Sequence, residues 1–163
     1  MIRRLTQLAA GVLLLFGVLG AVFLCGMRRK SPVVVNAVRR FNRNVSNPRQ
    51  MATAGSSGAY ASVIRHVGRT SGREYETPIG AIPTENGYVV ALPYGPGADW
   101  LKNLVANGSA TIVAEGITSV VDEPQVVAIA EAIDDFPPGE RRLLRLFSVS
   151  ECLRVRRTKL QTA

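Results

Sequence analysis

Three kinds of residue are scarce in this sequence: it has one histidine, two cysteines and, over its first fifty residues, no acidic residue. A single histidine leaves no two-histidine metal site, so we expect no metal centre. Cys25 and Cys152 lie far apart in the sequence and predict no disulfide framework. The sequence also lacks GxSxG, a strand-linked GxGxxG and the GK[ST] of a P-loop, which excludes the common nucleophile-elbow, dinucleotide-binding and P-loop machineries.

The missing acidic residues make the charge of the chain very uneven. Residues 1–50 hold nine of the 20 Lys and Arg residues and none of the 12 Asp and Glu residues, so the formal net charge of +8 originates in this segment. A nucleic-acid-binding domain would carry its basic residues on the folded part, interleaved with aromatic residues. Because the basic excess lies in the N-terminal segment instead, we expect no nucleic-acid partner.

Residues 5–27, "LTQLAAGVLLLFGVLGAVFLCGM", contain no charged residue. As a helix this run would be about 34 Å long, enough to cross a bilayer. A cleaved signal peptide is the alternative, but such peptides have shorter apolar regions and end in a small-x-small site. Here bulky residues (22–24) precede Cys25, and a basic cluster follows at 28–30. We therefore interpret residues 1–30 as an uncleaved, single-pass anchor in the cell membrane.

The basic residues that follow the anchor outnumber those that precede it, which predicts that the rest of the chain lies on the cytoplasmic side. Residues 31–59 read as a short helix followed by a loop that begins near residue 46. The helix places apolar side chains at helical spacing, namely Val34, Val38, Phe41 and Val45, with arginines elsewhere on the wheel. Such a helix beside an anchor is typical of one that lies on anionic lipid, although packing against the folded domain explains the pattern equally well.

From residue 60 onward the apolar pattern changes to that of strands. Turns are expected at "GRTSG" and "TENG", and "YVVALPYG" is apolar enough to be a central strand. Three further short strands follow residue 108, and "CLRVRR" is expected to be an edge strand. The stretches "ADWLKNLVANG" and "PPGERRLLRLFSV" predict helices. Strands with few crossover helices predict a mainly β (α+β) domain over residues 60–163: an antiparallel β-barrel with peripheral helices.

The turn in "HVGRTSGREYETP" gathers two guanidinium groups and two hydroxyls around Gly72. A solvated hairpin tip is the ordinary interpretation, yet arginine forks and turn amides also suit phosphate or carboxylate. The only tryptophan, Trp100, lies in the first turn of a predicted helix, with Asn103 on the same face. An anion-binding turn, a flat aromatic side chain (Trp100) and an amide (Asn103) together indicate a pocket for a ring-bearing cofactor with a phosphate tail. Core packing is the alternative for Trp100, and a packed or half-exposed strand residue is our interpretation of His66.

These residues resemble a known family. "HVGRTSGREYETPIGAI" followed by "GYVVALPYGPGADWLKNLVANGSATIV" is similar to the deazaflavin-dependent nitroreductases of actinobacteria, over roughly residues 41–121. That family uses coenzyme F420, a 5-deazaflavin, on a split β-barrel. The resemblance implies that the coenzyme's phosphate and acidic tail bind at Arg69, Thr70, Ser71, Gly72 and Arg73. It also implies that the ring lies among Pro78, Tyr94, Gly95, Trp100 and Asn103.

The sequence departs from the family at two points. The family's best-known nitroreductase has basic residues where Tyr75 and Tyr94 stand, and it has a C-terminal tyrosine cluster, whereas no tyrosine follows Tyr94 here. Nitroimidazole reduction is therefore not expected. The resemblance implies hydride transfer from reduced F420 to an unsaturated acceptor, with Tyr94 as the phenol nominated to donate a proton.

An anchored enzyme gains from an acceptor that partitions into the membrane, so we expect a quinone-like or lipid-like compound rather than a polar metabolite. Two alternatives remain open at the level of the sequence: a non-catalytic deazaflavin carrier, and an FMN-dependent oxidase on the same fold. Split barrels commonly pair through their sheets, so the resemblance also allows a homodimer.

Overall fold

The computed structural model describes the chain from residue 2 to residue 161, with the side chains of residue 7 and of residues 11–158. Three helices precede the sheet, with one π-helical turn, Asn42–Ser46, between the second and the third. These helices are α1 (Ile2–Arg28), α2 (Pro32–Phe41) and α3 (Asn47–Met51). Two more helices follow among the strands: α4 (Asp99–Asn107) and α5 (Pro138–Leu146). The expected loop therefore begins after α3 rather than at residue 46.

Seven strands form a single antiparallel sheet in the order β2-β1-β5-β6-β7-β4-β3. The strands are β1 (Ser62–Val67), β2 (Glu74–Ile79), β3 (Ala81–Pro83), β4 (Gly87–Ala91), β5 (Ser109–Ala114), β6 (Ile117–Ala128) and β7 (Glu151–Gln161). The two edge strands, β2 and β3, are separated along the chain only by Gly80. Because one residue joins opposite edges, the sheet must curl until those edges approach each other. In the described part of the chain the hydrogen-bond ladder does not close between them, so the expected barrel is an open, curled sheet.

The expected strands "ITSVVDE" and "QVVAIAE" form one long strand, β6, rather than two. The register shifts between Asp122 and Gln125, where Glu123 has a φ of 49°. Pro124 has no N–H to donate to the ladder, so the chain bulges at this point and then continues. The segment after β6 leaves the sheet as two short 3₁₀ turns, Ile129–Glu131 and Ile133–Asp135.

The expectation that "CLRVRR" is an edge strand is wrong, since β7 lies between β6 and β4. Its buried residues, Cys152, Leu153 and Val155, are at most 2% exposed. Its arginines are typical of an edge strand, but one of them faces a carboxylate of the neighbouring strand: Arg156 contacts Asp122 at 3.1 Å. A central strand can therefore carry arginine when the facing strand carries carboxylates.

Helix α4 is fixed by the core of the sheet. Leu101 and Leu104 are 1% and 0% exposed and pack in one cluster with Ile64 and Ile112 of the sheet. Each such side chain contributes about 1.5–3 kcal/mol by its burial. The helix ends where the sequence predicts, at Gly108, whose φ of 75° lies in the left-handed region that glycine tolerates. The helix that carries Trp100 and Asn103 thus has a defined position on the sheet.

Helix α1 includes one stretch, Gly11–Arg28, that by length and composition alone could cross a membrane. Its mean hydropathy is 2.1, and 6% of it is buried. A membrane span and a signal sequence both fit these values. The C-terminal end of α1 contacts the folded domain, because Met27 is 3% exposed and the ring of Phe23 lies edge-to-face with Phe147 at 6.4 Å.

Gly87 begins β4 directly against β7. A Cβ at this position would collide with the backbone carbonyl of Val155 and would lie 3.0 Å from the Cα of Arg156. These backbone atoms belong to the sheet and cannot rotate away, so we expect Gly87→Ala to lower the free energy of unfolding by about 1–3 kcal/mol.

Gly139→Ala is the matched control, because no heavy atom lies within 4 Å of an added Cβ at this position in the first turn of α5. We expect it to be neutral or to stabilise by up to about 1 kcal/mol, since alanine favours helix more than glycine does. Denaturant unfolding of both variants in the same detergent measures the difference. Equal stability of the two would contradict the register assigned to β4 and β7.

Candidate functional site

The predicted anion-binding turn joins β1 to β2. The N–H of Gly68 donates to the carbonyl of Arg73 at 2.8 Å, and the N–H of Gly72 donates to the carbonyl of Gly68 at 2.9 Å. Gly72 has a φ of 63°, which glycine adopts without strain. Thr70, Ser71 and Arg73 are exposed at the tip. The turn therefore presents two hydroxyls and a guanidinium group to solvent.

Arg69 connects this turn to helix α4. Its backbone N–H and its Nη1 both donate to Oδ1 of Asn103, at 3.2 and 2.7 Å. Its Nη2 contacts Oδ1 of Asp99 at 3.3 Å, in an exposed pair that contributes at most about 1 kcal/mol. The structure thus brings together two residues predicted for the site, Arg69 and Asn103, which lie 34 positions apart in the sequence.

The other end of the Asn103 amide faces His66, with Nδ2 and Nδ1 3.1 Å apart. Because Arg69 donates twice to the oxygen, the amide NH₂ must point at the ring, and Nδ1 must accept. Neutral His66 then carries its proton on Nε2 and donates it to Oγ1 of Thr77 at 3.2 Å. Asn103 and His66 are both 6% exposed, and burial lowers the pKa of His66. Geometry and burial therefore agree on a neutral ring.

Tyr75 covers this buried pair from the solvent side. Its ring stacks on His66 with centroids 5.8 Å apart and an interplanar angle of 21°. Its hydroxyl lies 3.2 Å from Oγ of Ser71. Gly68 leaves the room for this arrangement, since an added Cβ would lie 2.8 Å from Cε2 of Tyr75. At the position where the resembling nitroreductase has a cation, this chain thus has an aromatic lid over His66.

The second part of the predicted site is the loop after β4, which contains Tyr94 and Gly95. Residues of the N-terminal segment hold this loop. Nζ of Lys30 donates to the carbonyl of Pro93 at 2.8 Å, and Nη2 of Arg39 donates to the carbonyl of Tyr94 at 2.8 Å. Nδ2 of Asn42 donates to the hydroxyl of Tyr94 at 3.0 Å. Because that hydroxyl oxygen is the acceptor, the phenol keeps its own proton for another partner.

The remaining predicted residues occupy intermediate positions. Trp100 is half-buried and packs against the core cluster of the sheet and α4, while Pro78 lies on β2 opposite Val63. The turn and α4 are joined by hydrogen bonds, and so are the Tyr94 loop and α2. Within the part of the chain that the structure describes, no side-chain hydrogen bond joins these two groups to each other.

The sequence does not predict several of the residues at these contacts: Lys30, Arg39, Asn42, Thr77 and Asp99. The sequence predicts a packed or half-exposed strand residue at His66. The structure shows that His66 is buried and that it bonds to Asn103, a contact the sequence does not predict. The N-terminal contacts span 52–63 positions of sequence, so no local pattern could have indicated them. The one signal in the sequence for the burial of His66 is the alternation of side chains along a strand, which places His66 and Ile64 on the same face of β1.

No protein-family model matches the sequence, and no curated protein matches it. Solved structures do match in shape. A protein titled F420 reductase has a TM-score of 0.46 and 10% identity over 63% of this chain and 89% of that chain. A second, titled F420-H2 dependent reductase (FDR-A), has a TM-score of 0.40 and 14% identity over 59% of this chain and 93% of that chain.

The heme storage protein HutZ from Vibrio cholerae also matches, with a TM-score of 0.45 and 15% identity over 63% of this chain and 85% of that chain. F420-dependent reductases, the group that the sequence resembles, are thus among the structural neighbours of this chain. At these TM-scores the likenesses describe shape and carry no argument about ligand or activity.

The buried, neutral His66 makes stability depend on pH in a defined direction. The folded state holds the pKa of His66 below its ordinary value of 6.5. As pH falls below 6.5, the unfolded chain takes up a proton that the folded chain does not, so stability falls until the lower native pKa is reached. We expect the parent to lose thermal stability between about pH 7.5 and about pH 5.5, and His66→Gln to lose less over the same window.

The chain has one histidine, which makes the comparison of parent and variant direct. Burial raises the pKa of Glu140, which gives a slope of the opposite sign, but that slope is common to both proteins and cancels in the difference. Thermal unfolding of both proteins in the same detergent at the two pH values is the measurement. An identical pH dependence would mean that His66 is not held neutral.

Proposed function

We propose that the chain is a membrane-anchored oxidoreductase that uses reduced coenzyme F420, with its curled sheet acting as a split barrel. The observation that carries the proposal is the contact of Arg69 with Asn103. It places the cationic turn against the helix that bears Trp100 in its first turn. These are the residues on which the resemblance to deazaflavin-dependent enzymes rests.

The turn suits an anionic tail. Arg73 is exposed, and among the described residues no carboxylate lies within ion-pair distance of it. The hydroxyls of Thr70 and Ser71 flank it, and the side chain of Arg69 remains 36% exposed beside Asp99. Charged donors of this kind bind phosphate and carboxylate more strongly than neutral ones do. Phosphate binding by this turn therefore requires no rearrangement of the fold.

For the ring, the proposal assigns Trp100, Pro78, Gly95 and Tyr94 to the walls of the pocket. Asn103 acts through Arg69, since its amide oxygen and its NH₂ are both engaged inside the protein. The bound reduced coenzyme would supply a hydride to the acceptor. The chain's own part is to orient the two reactants and, through the phenol of Tyr94, to provide a proton.

Binding of the coenzyme tests the proposal first. We expect the full chain in detergent to bind F420, and the dissociation constant to rise with ionic strength because the turn's charges are screened. We expect Arg73→Gln to weaken binding by about tenfold, the loss of one charge-assisted hydrogen bond. Arg69→Gln should weaken it at least as much, because it also removes a donor to the buried amide of Asn103. Fluorescence titration at low and high salt is the measurement.

Arg65→Gln is the matched control, because Arg65 is exposed on the adjoining strand and pairs with Glu76 at 2.8 Å. It should bind as the parent does. A parent that binds no F420 would end the proposal, and a parent that binds FMN instead would favour the oxidase alternative. Binding without any acceleration of coenzyme oxidation by the acceptors tried would favour the carrier.

The acceptor is proposed to be lipophilic, quinone-like or lipid-like. Cutting the chain at Ser46 would remove Lys30, Arg39 and Asn42 from the Tyr94 loop, so the full chain must be used in every arm. We expect the chain in vesicles to oxidise reduced F420 several-fold faster with menaquinone-like or fatty-acyl acceptors than with polar enones, because the membrane concentrates the former. Faster turnover of polar enones in vesicles and in detergent alike would show that the acceptor is polar.

A further inference from the structure

Helix α2 is held on two sides, and a third side is left uncovered. The side chain of Val34 packs against Gly26 of α1, and Arg39 and Asn42 bind the Tyr94 loop. On the remaining side Val33 is 79% exposed and Phe41 is 57% exposed. Folding of the chain therefore leaves apolar surface on this helix uncovered.

This third side is one continuous face. Its residues recur at intervals of three and four positions along the helix. They line an open pocket with a volume of about 440 Å³: Val33, Asn36, Ala37, Arg40, Phe41, Asn44 and Val45. The apolar stripe differs from the one expected from the sequence, since Val34 packs on α1 and Val38 is half-buried. We call the face defined by these seven residues the outer face of α2.

The charge around the outer face has one sign. Arg28, Arg29, Arg40 and Arg43 are exposed, and in the described part of the chain none of them lies within ion-pair distance of a carboxylate. The first acidic residue of the sequence is Glu74. Arg40 itself lines the outer face, and Arg43 follows it by three residues. Apolar side chains beside unpaired arginines match the interface of an anionic bilayer, where acyl chains lie beneath phosphate groups.

The position of α2 along the chain favours the same occupant. Three residues, 29–31, separate the end of α1 from the start of α2. So short a link spans at most about 10 Å, which is comparable to the depth of the headgroup layer on one side of a bilayer. If α1 crosses the membrane, α2 must begin at the headgroups.

We propose that the outer face of α2 docks on anionic phospholipid, with Val33 and Phe41 among the acyl chains and Arg40 and Arg43 at the phosphates. The proposal rests on the anchoring by α1 that forms part of the proposed function, and it is independent of the proposed chemistry. Arg39 and Asn42 lie on the opposite side of the same helix and bind the Tyr94 loop. Docking of the outer face therefore sets the distance between the Tyr94 loop and the membrane.

The test is the depth of a nitroxide spin label on the full chain in vesicles. In a Cys25→Ser background Cys152 is 0% exposed and does not react, so Phe41→Cys carries the label alone. Tyr60→Cys is the control position, because Tyr60 is 83% exposed and lies outside the outer face. The rate of collision with oxygen measures how far the label is immersed in lipid, and the rate of collision with a water-soluble nickel complex measures its exposure to solvent. Co-flotation of the protein with vesicles tests the anchoring by α1 separately.

We expect the oxygen-to-nickel collision ratio at position 41 to exceed that at position 60 several-fold in vesicles of phosphatidylcholine with phosphatidylglycerol, and to fall in phosphatidylcholine alone. Arg40→Gln with Arg43→Gln should lower it in the anionic vesicles, as each arginine is worth about fivefold in partition to an anionic surface. Lys102→Gln, exposed on α4, should leave it unchanged.

Three results would overturn the proposal. One is that, in both lipids, the label at position 41 is as accessible to the nickel complex as the label at position 60. Another is an equal collision ratio at position 41 in both lipids, which would show that the net negative charge of the headgroups plays no part in docking. The third is shielding from both reagents that grows with protein density, which would identify a second copy of the chain as the occupant. F420 binding is unaffected by all three, so failure here is distinct from failure of the proposed function.

Discussion

The arrangement of the candidate site depends on one buried side-chain amide. Asn103 accepts from Arg69 with its oxygen and donates to His66 with its nitrogen, so it fixes the β1–β2 turn against α4 and fixes the tautomer of the histidine. Its burial makes each partner necessary, since an amide group left unsatisfied costs about 1–3 kcal/mol. The leucines of α4 place the amide, and the curl of the sheet brings β1 under it. The exposed part of the turn is therefore held by a contact whose acceptor, Asn103, is buried in the protein.

A second constraint joins the N-terminal segment to the sheet. Lys30, Arg39 and Asn42 contact the loop of Pro93 and Tyr94, across the boundary near residue 60 at which the sequence changes character. Burial lowers the pKa of Lys30, with Glu151 opposing the shift, as expected for a cation that serves a backbone carbonyl instead of a carboxylate. The N-terminal helices are thus part of the support of the loop, and the loop geometry depends on them.

The parts of the fold that the sequence predicts are those set by neighbours in the chain. The end of α4 at Gly108, the β1–β2 turn with glycine at a positive φ, and the position of β4 between two strands all follow from local pattern. The parts it does not predict are set by distant partners. Strand β7 is central because it pairs with both β4 and β6, and His66 is bonded to Asn103, 37 positions away, which offers it a donor. Period and propensity carry no information about such partners.

The neutral state of His66 determines which groups give the turn its charge. With His66 neutral, the positive potential at the turn comes from arginine alone. Asp99 offsets part of the charge of Arg69, and Arg65 and Glu76 offset each other on the strands below. Arg73 is then the least compensated cation of the turn, flanked by exposed hydroxyls. Five other arginines of the described domain face carboxylates, namely Arg65, Arg69, Arg141, Arg154 and Arg156. An uncompensated cation beside exposed hydroxyls at this turn therefore favours an anionic ligand.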